Sequence, residues 1–175
     1  IGKAGEHRVR YATISNEGRH AGRGGVGAVM GAKNLKAITL RGSQKTVVAD
    51  PKGVEAIADS LRRRSLGSAT DKYRSLGTVA NLAVFNRLGS LPARNFQQST
   101  FDGAALLEGE SLTENNFSRR HGCASCTIRC ERLFKSRDGE QRLEYETLFA
   151  LGPLCGITNP ELVLEAAHLC DQYGL

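Results

Sequence analysis

Three thiols within eight residues constrain this chain more than any other feature: Cys123-Ala-Ser-Cys126-Thr-Ile-Arg-Cys130 has the spacing C-x2-C-x3-C. A tight turn into a helix brings three such side chains to one small centre. The odd total of five cysteines, and their clustering, argue against the evenly punctuated disulfide framework of a secreted domain. The triplet reads as a ligand set, with Cys155, Cys170 or a cysteine beyond the segment as candidates for a fourth thiolate. A 4Fe-4S cluster is the first reading, because structural zinc usually uses two paired knuckles and one is present. Zinc in a Cys3His site with His121 is the alternative, and a metal-free loop the third. The spacing also reverses the C-x3-C-x2-C typical of radical enzymes that cleave adenosylmethionine.

A chain of 175 residues has room for one core or a little more, since chains of this size bury about 70 % of their unfolded surface. No apolar run approaches the ~18 to 20 residues of a membrane span, and the first residues lack a charged-then-apolar leader pattern. The chain therefore reads as soluble and cytoplasmic, without a membrane span. Lys and Arg outnumber Asp and Glu by 24 to 18, and 17 of the 24 are arginine, which grips phosphate and carboxylate bidentately. Aromatic residues make up 6 %, there is no Trp, and the arginines are scattered. Single-strand binders interleave cations with stacking rings, so no nucleic-acid partner is expected. An anionic small-molecule cofactor or a partner surface suits the charge better.

Alternation predicts strands over Val9–Ile14 and Leu35–Leu40. Between them, Gly22-Arg23-Gly24-Gly25-Val26-Gly27 holds four glycines in six positions, freeing backbone N–H groups for close approach to a ligand; a loop and a tightly packed short helix would explain it equally. After Arg41-Gly42 the composition changes. Asp50-Pro51 caps a helix carrying the apolar stripe Val54, Ile57, Ala58 and Leu61 and ending at Arg62-Arg63-Arg64, where cations suit the helix dipole. A second helix is predicted from about Thr78 to Leu88, with Gly89 as its stop, and a third from Pro160, capped by Asn159, to Tyr173 with Gly174 at its end. The fold class is α+β: a short β-containing N-terminal segment, 1–42, followed by a mostly α-helical domain, 43–175. Both ends look cut, as in a piece of a larger protein.

Two acids, Glu144 and Glu146, flank Tyr145 ahead of an apolar stretch. At i and i+2 they cannot share one proton without a turn between them, and each can equally be a helix-start acid facing the dipole. At the far end, Asp171-Gln-Tyr-Gly174-Leu175 places an aspartate in a last helical turn. There it opposes the dipole, which suggests a ligand or a hydrogen bond.

With these pieces in place, the chain resembles the tungsten-dependent aldehyde:ferredoxin oxidoreductase family. The resemblance rests on Ile1-Gly-Lys-Ala-Gly-Glu6, the run Gly22 to Ile38, Leu91-Pro-Ala-Arg-Asn-Phe96, the cysteine triplet, Glu144-Tyr-Glu-Thr147 and Asp171 to Leu175, all in family order. Lys3 stands where the family commonly has proline. The resemblance implies a central slice: the end of a β domain that cradles two pterins, and most of a first helical domain with the iron-sulfur loop.

It further implies an enzyme that oxidises small aldehydes to carboxylic acids on a tungsten or molybdenum bis-pterin. Electrons would leave through a 4Fe-4S cluster to ferredoxin, in a homo-oligomer or with an electron-transfer subunit. Arg23 and the backbone of Gly24, Gly25 and Gly27 would hold pterin phosphates and a bridging Mg2+. Asp171, Gly174 and Leu175 would meet a pterin ring, and Cys123, Cys126 and Cys130 would ligate the cluster. The fourth ligand would lie beyond Leu175, against Cys155 and Cys170. Glu146, or failing that Glu144, would be the proton acceptor. The isolated segment is expected to be inactive. A small independent iron-sulfur or zinc module, acting as electron carrier or binding adaptor, is the alternative, but it has no use for a phosphate cradle.

Overall fold

The structure, a computed structural model, describes all 175 residues, and its contacts divide the chain into two units. The first comprises Ile1–Val47 together with His168–Leu175, and the second Val48–Ala167. In chain order the helices are α1 (Lys3–Glu6), α2 (Val26–Ala32), α3 (Pro51–Ser65), α4 (Asp71–Ser75), α5 (Asn81–Arg87), α6 (Gly109–Asn116), α7 (Tyr145–Leu151) and α8 (Pro160–Tyr173). The strands are β1 (Ile14–Asn16), β2 (Arg19–Ala21), β3 (Phe117–His121), β4 (Glu131–Ser136) and β5 (Gly139–Leu143). The α+β class holds. No single helix is long and apolar enough to cross a membrane.

In the first unit α1 and α2 touch through glycine: a Cβ on Gly31 would lie 1.8 Å from the Gly5 carbonyl oxygen. Strands β1 and β2 form a hairpin whose two-residue turn, Glu17-Gly18, has positive φ at both positions, the geometry that matches strand twist. The expected strand Val9–Ile14 is not formed before Ile14. The N–H groups of Val9 and Ala12 go instead to the carbonyls of Ala4 and Val9, so this stretch turns. The expected strand Leu35–Leu40 is also absent. Alternation needs a neighbouring edge to pair with, and without one Ile38 and Leu40 stay exposed.

The second unit carries the main core, in which Val79, Leu82, Leu91, Leu107, Leu112, Phe134, Leu143, Leu148, Val163 and Leu164 are buried together. A three-stranded antiparallel sheet in the order β3-β4-β5 lies in the stretch whose sequence reads as helical. Asp50 caps α3 by accepting from the Gly53 N–H at 2.9 Å, and Asn159 Oδ1 accepts from Glu161 N–H at 2.9 Å at the start of α8. The stripe on α3 does not reach the core: Val54, Ile57 and Leu61 are 55 %, 62 % and 56 % exposed. Burial of each would be worth roughly 1.5–3 kcal/mol, so α3 stands on its cap and its local bonds. The motif Leu91 to Phe96 explains itself sterically. Arg94, Asn95 and Phe96 all adopt positive φ, each costing about 1–3 kcal/mol. The turn is held by Arg94 and Asn95 N–H groups donating to the carbonyls of Pro153 and Leu154 at 3.0 and 2.8 Å.

Candidate functional site

The glycine loop lies in the first unit. Gly24 and Gly25 take φ of +78° and +63°, and their N–H groups make no hydrogen bond within the chain. A Cβ on Gly24 would meet nothing within 4 Å, whereas one on Gly25 would strike the Arg10 carbonyl at 2.2 Å. Gly27 is buried, its N–H held by the Ala12 carbonyl at 3.0 Å. Arg23 is exposed. Two unengaged N–H groups beside a free-standing guanidinium fit the chemistry of a phosphate group.

The last residues return to this unit. Thr13 N–H donates to the Gly174 carbonyl at 2.8 Å, and a Cβ on Gly2 would sit 2.2 Å from the Tyr173 carbonyl oxygen. Gly174, with φ +77°, turns the chain out of α8, and its N–H donates to the Cys170 carbonyl at 2.9 Å. Asp171 Oδ1 stands 3.1 Å from His20 Nε2. The other imidazole nitrogen of His20 lies 3.0 Å from Ser15 Oγ and 3.4 Å from Thr13 Oγ1. The residues expected at a pterin, Arg23, Gly24, Gly25, Gly27, Asp171, Gly174 and Leu175, thus share one unit.

Cys123, Cys126 and Cys130 lie in the second unit, on the loop between β3 and β4. His121 and Glu131 pair at the end of that ladder, and a Cβ on Gly122 would come within 2.8 Å of Arg129 Cα, so the neck is closed. Inside it, Cys126 N–H donates to the Cys123 carbonyl at 3.0 Å. Cys123 is exposed, Cys126 and Cys130 are half-buried, and none of the five cysteines is in a disulfide. Burial first, then the Glu144 carboxylate and the nearby Cys126 and Cys123, push the Cys130 thiol above its ordinary value. Cys123 and Cys126 therefore stand close enough to Cys130 for their charge to act on it. No three His, Cys, Asp or Glu side chains are gathered as a finished ligand group, but soft thiols on one short loop suit an iron-sulfur centre chemically. Cys155 is exposed with its Sγ 3.2 Å from the Ala150 carbonyl, and Cys170 is half-buried.

Beneath this loop lies a charged base that the sequence does not announce. Glu131 and Arg132, the residues after Cys130, are fully buried. Glu131 Oε2 is 2.5 Å from His121 Nδ1, and its other oxygen pairs with Arg142. Arg132 donates to the carbonyls of Arg129 at 3.1 Å and Arg74 at 2.7 Å. Gly77 leaves room for the Cys130 carbonyl, which a Cβ there would meet at 2.4 Å.

Glu144 occupies the N-cap position of α7, half-buried and without a side-chain capping bond, and Glu146 sits exposed in its first turn. Glu144 faces the cysteine loop closely enough for its charge to act on Cys130.

Residues 1–42 match the model of the aldehyde ferredoxin oxidoreductase N-terminal domain, and residues 52–175 that of domains 2 and 3 of the same family. The chain belongs to the aldehyde ferredoxin oxidoreductase family. A tungsten-containing aldehyde ferredoxin oxidoreductase of Pyrococcus abyssi is 40 % identical over the whole chain, which covers 30 % of that relative. One from Thermococcus kodakarensis is 39 % identical with the same coverage. An aliphatic sulfonate oxidoreductase, WOR-like subunit, of Pyrococcus furiosus is 31 % identical, and the chain covers 29 % of it. The chain thus spans about three tenths of the length of the curated relatives it matches. The fold also resembles the active-site complex BamBC of benzoyl coenzyme A reductase, with a TM-score of 0.73 at 24 % identity over all of this chain and 29 % of that one.

Within this family member, sequence reasoning missed His20, Glu131, Arg132 and Arg142. A histidine in an exposed hairpin carries no local signal. The pair Glu131-Arg132 directly after Cys130 was visible, but only the fold shows that both are buried.

Proposed function

We propose that this chain is the pterin-loop and cluster-loop portion of a cytoplasmic oxidoreductase that converts small aldehydes to carboxylates and passes the electrons to ferredoxin. The observation that carries the reading is that the glycine loop and the Asp171–Leu175 segment are both held on Ala12-Thr13 in one unit, Gly27 N–H donating to the Ala12 carbonyl and Thr13 N–H to the Gly174 carbonyl. An electron carrier alone has no use for that arrangement. A tungsten or molybdenum bis-pterin would supply the two-electron oxidation: aldehyde and water become carboxylate, three protons and two electrons at neutral pH. Arg23 and the N–H groups of Gly24 and Gly25 would bind its phosphates and their Mg2+, with Gly27 keeping the loop tight against the backbone. Asp171 would accept from pterin N–H groups while His20 fixes its orientation, and Gly174 and Leu175 would give the ring close backbone approach. Cys123, Cys126 and Cys130 would hold the 4Fe-4S cluster through their thiolates. Glu146, or Glu144 in its place, would take a proton at a carboxylate oxygen.

The test is anaerobic expression of the whole oxidoreductase with tungstate, followed by metal and pterin analysis and an assay of small aldehydes with benzyl viologen. Carboxylate formed in step with viologen reduction is the expected result. A metal- and pterin-replete enzyme that turns over no aldehyde overturns the reading. Stoichiometric zinc without iron would replace the cluster assignment.

A further inference from the structure

Five cations gather around the cysteine loop without a carboxylate partner. Arg63 and Arg64 are in the last turn of α3, Lys72 is in α4, Arg120 is on β3, and Arg129 is in the loop itself. All five are exposed, and none is in an ion pair. Three contacts draw their segments together. Ser65 Oγ hydrogen-bonds Thr127 Oγ1 of the loop. Arg120 Nη1 donates to the Arg74 carbonyl at 2.9 Å, and Arg132 Nη2 donates to the same carbonyl at 2.7 Å.

Of the acids near this surface four are already engaged, and Glu144, half-buried beside Cys130, offsets one charge at most. Asp59 pairs with Arg62 at 2.5 Å, Asp71 with Arg74 at 3.2 Å and Glu140 with Arg119 at 2.8 Å, while Glu131 is buried between His121 and Arg142. The exposed Cys123 belongs to the same loop. The two rings here, Tyr73 and Phe117, are half-buried and each lies under a cation, Lys72 at 4.8 Å and Arg132 at 5.9 Å. Little aromatic face is left for stacking a base, which disfavours single-stranded nucleic acid.

We propose that this basic surface is where an acidic redox protein docks to take electrons from the cysteine loop. The proposal rests on the function proposed above. Cys123, Cys126 and Cys130 would hold the cluster that gives up one electron at each docking event, the partner's own iron-sulfur centre would take it up, and two partner molecules would be consumed per aldehyde. Unpaired surface cations of this kind steer an oppositely charged partner and set its approach.

The experiment uses the holoenzyme, an Arg63→Glu/Arg64→Glu double variant and a Lys72→Glu variant. Aldehyde turnover is followed with a purified acidic ferredoxin and, separately, with benzyl viologen, and ferredoxin affinity is measured by calorimetry. The double variant is expected to lose about tenfold or more in affinity and in kcat/KM for ferredoxin at low salt. Its kcat for ferredoxin at saturation and its viologen rates should stay within about twofold, and the salt dependence of the ferredoxin reaction should flatten. Equal losses with both acceptors, or unchanged affinity and salt dependence, would overturn the proposal. So would loss of binding to a single-stranded oligonucleotide with ferredoxin binding intact. A wild type that oxidises no aldehyde with viologen fails on the functional reading, and calorimetry still tests the surface.

Discussion

Arg132 Nη2 donates to the Arg74 carbonyl at 2.7 Å from a fully buried side chain. All the acceptors of this guanidinium are main-chain carbonyls, those of Tyr73, Arg74, Arg129 and Glu131. It therefore ties the end of the cysteine loop to α4. Arg132→Met is expected to leave the Arg129 carbonyl without its donor, while the Arg74 carbonyl keeps Arg120 and that of Tyr73 keeps the Gly77 N–H, and to cost about 1–3 kcal/mol, read as a lower midpoint in urea. Arg132→Lys should recover part of that loss. A variant as stable as wild type would mean that water replaces the guanidinium without cost.

Gly77 and Gly89 both have positive φ, but Gly77, with φ +78° and ψ −166°, is in a region open essentially to glycine alone and is crowded as well, so iron content and not stability alone reports on its contact with Cys130. A Cβ on Gly77 would press on the Cys130 carbonyl at 2.4 Å, and one on Gly89 meets nothing within 4 Å. Gly89→Ala should cost about 1 kcal/mol, the price of the left-handed backbone alone. Gly77→Ala should cost clearly more and lower the iron content of the holoenzyme. Unchanged iron content in Gly77→Ala would remove Gly77 from any role in seating Cys130.

His20 and Asp171 are partly exposed, so their pairing contributes little to stability. His20→Gln is expected to move the unfolding free energy by less than about 1 kcal/mol. Asp171→Ala should likewise leave folding nearly unchanged but reduce the pterin retained per folded holoenzyme. Full pterin content in Asp171→Ala would assign the carboxylate to the hairpin alone.

Thiol reactivity should separate the cysteines of the metal-free chain. Burial first, with neighbouring negative charge, holds the Cys130 and Cys170 thiols above the ordinary range, and the thiolate is the nucleophile. Near pH 7.5, iodoacetamide should modify exposed Cys123 faster than Cys130 or Cys170. The gap should narrow as the pH rises past the raised values, because all three then ionise and only access still differs. Peptide mass spectrometry over time measures it, and a pH-independent ratio would refute the electrostatic account.

Much of the local punctuation was legible in the chain. Asp50-Pro51, Asn159-Pro160 and Gly89 act over three or four residues, and the structure uses them where the sequence places them. Long-range pairing was not legible. Leu35–Leu40 has the pattern of a strand but finds no edge, whereas Glu131-Arg-Leu-Phe forms the central strand despite two charges at its start. Those charges are tolerable only because His121, Arg142 and distant carbonyls meet them, and local periodicity carries no trace of such partners. The stripe on α3 misleads for the same reason: amphipathicity reports a face, not what covers it. The glycine loop and the cysteine loop were found because their chemistry is written in consecutive residues. The base beneath the cysteines was not, because it is assembled from three strands.

The first unit is closed by His168–Leu175, residues made after the whole of Val48–Ala167. At ~5–20 residues per second, synthesis of that intervening stretch takes roughly 6–24 s. Throughout that interval the nascent N-terminal segment lacks the carbonyl of Gly174 that receives Thr13 and the carboxylate that faces His20. The glycine loop therefore waits, half-built, while the cysteine-bearing unit emerges. This order of synthesis lets the main core of Val48–Ala167 form before the segment that completes the first unit arrives.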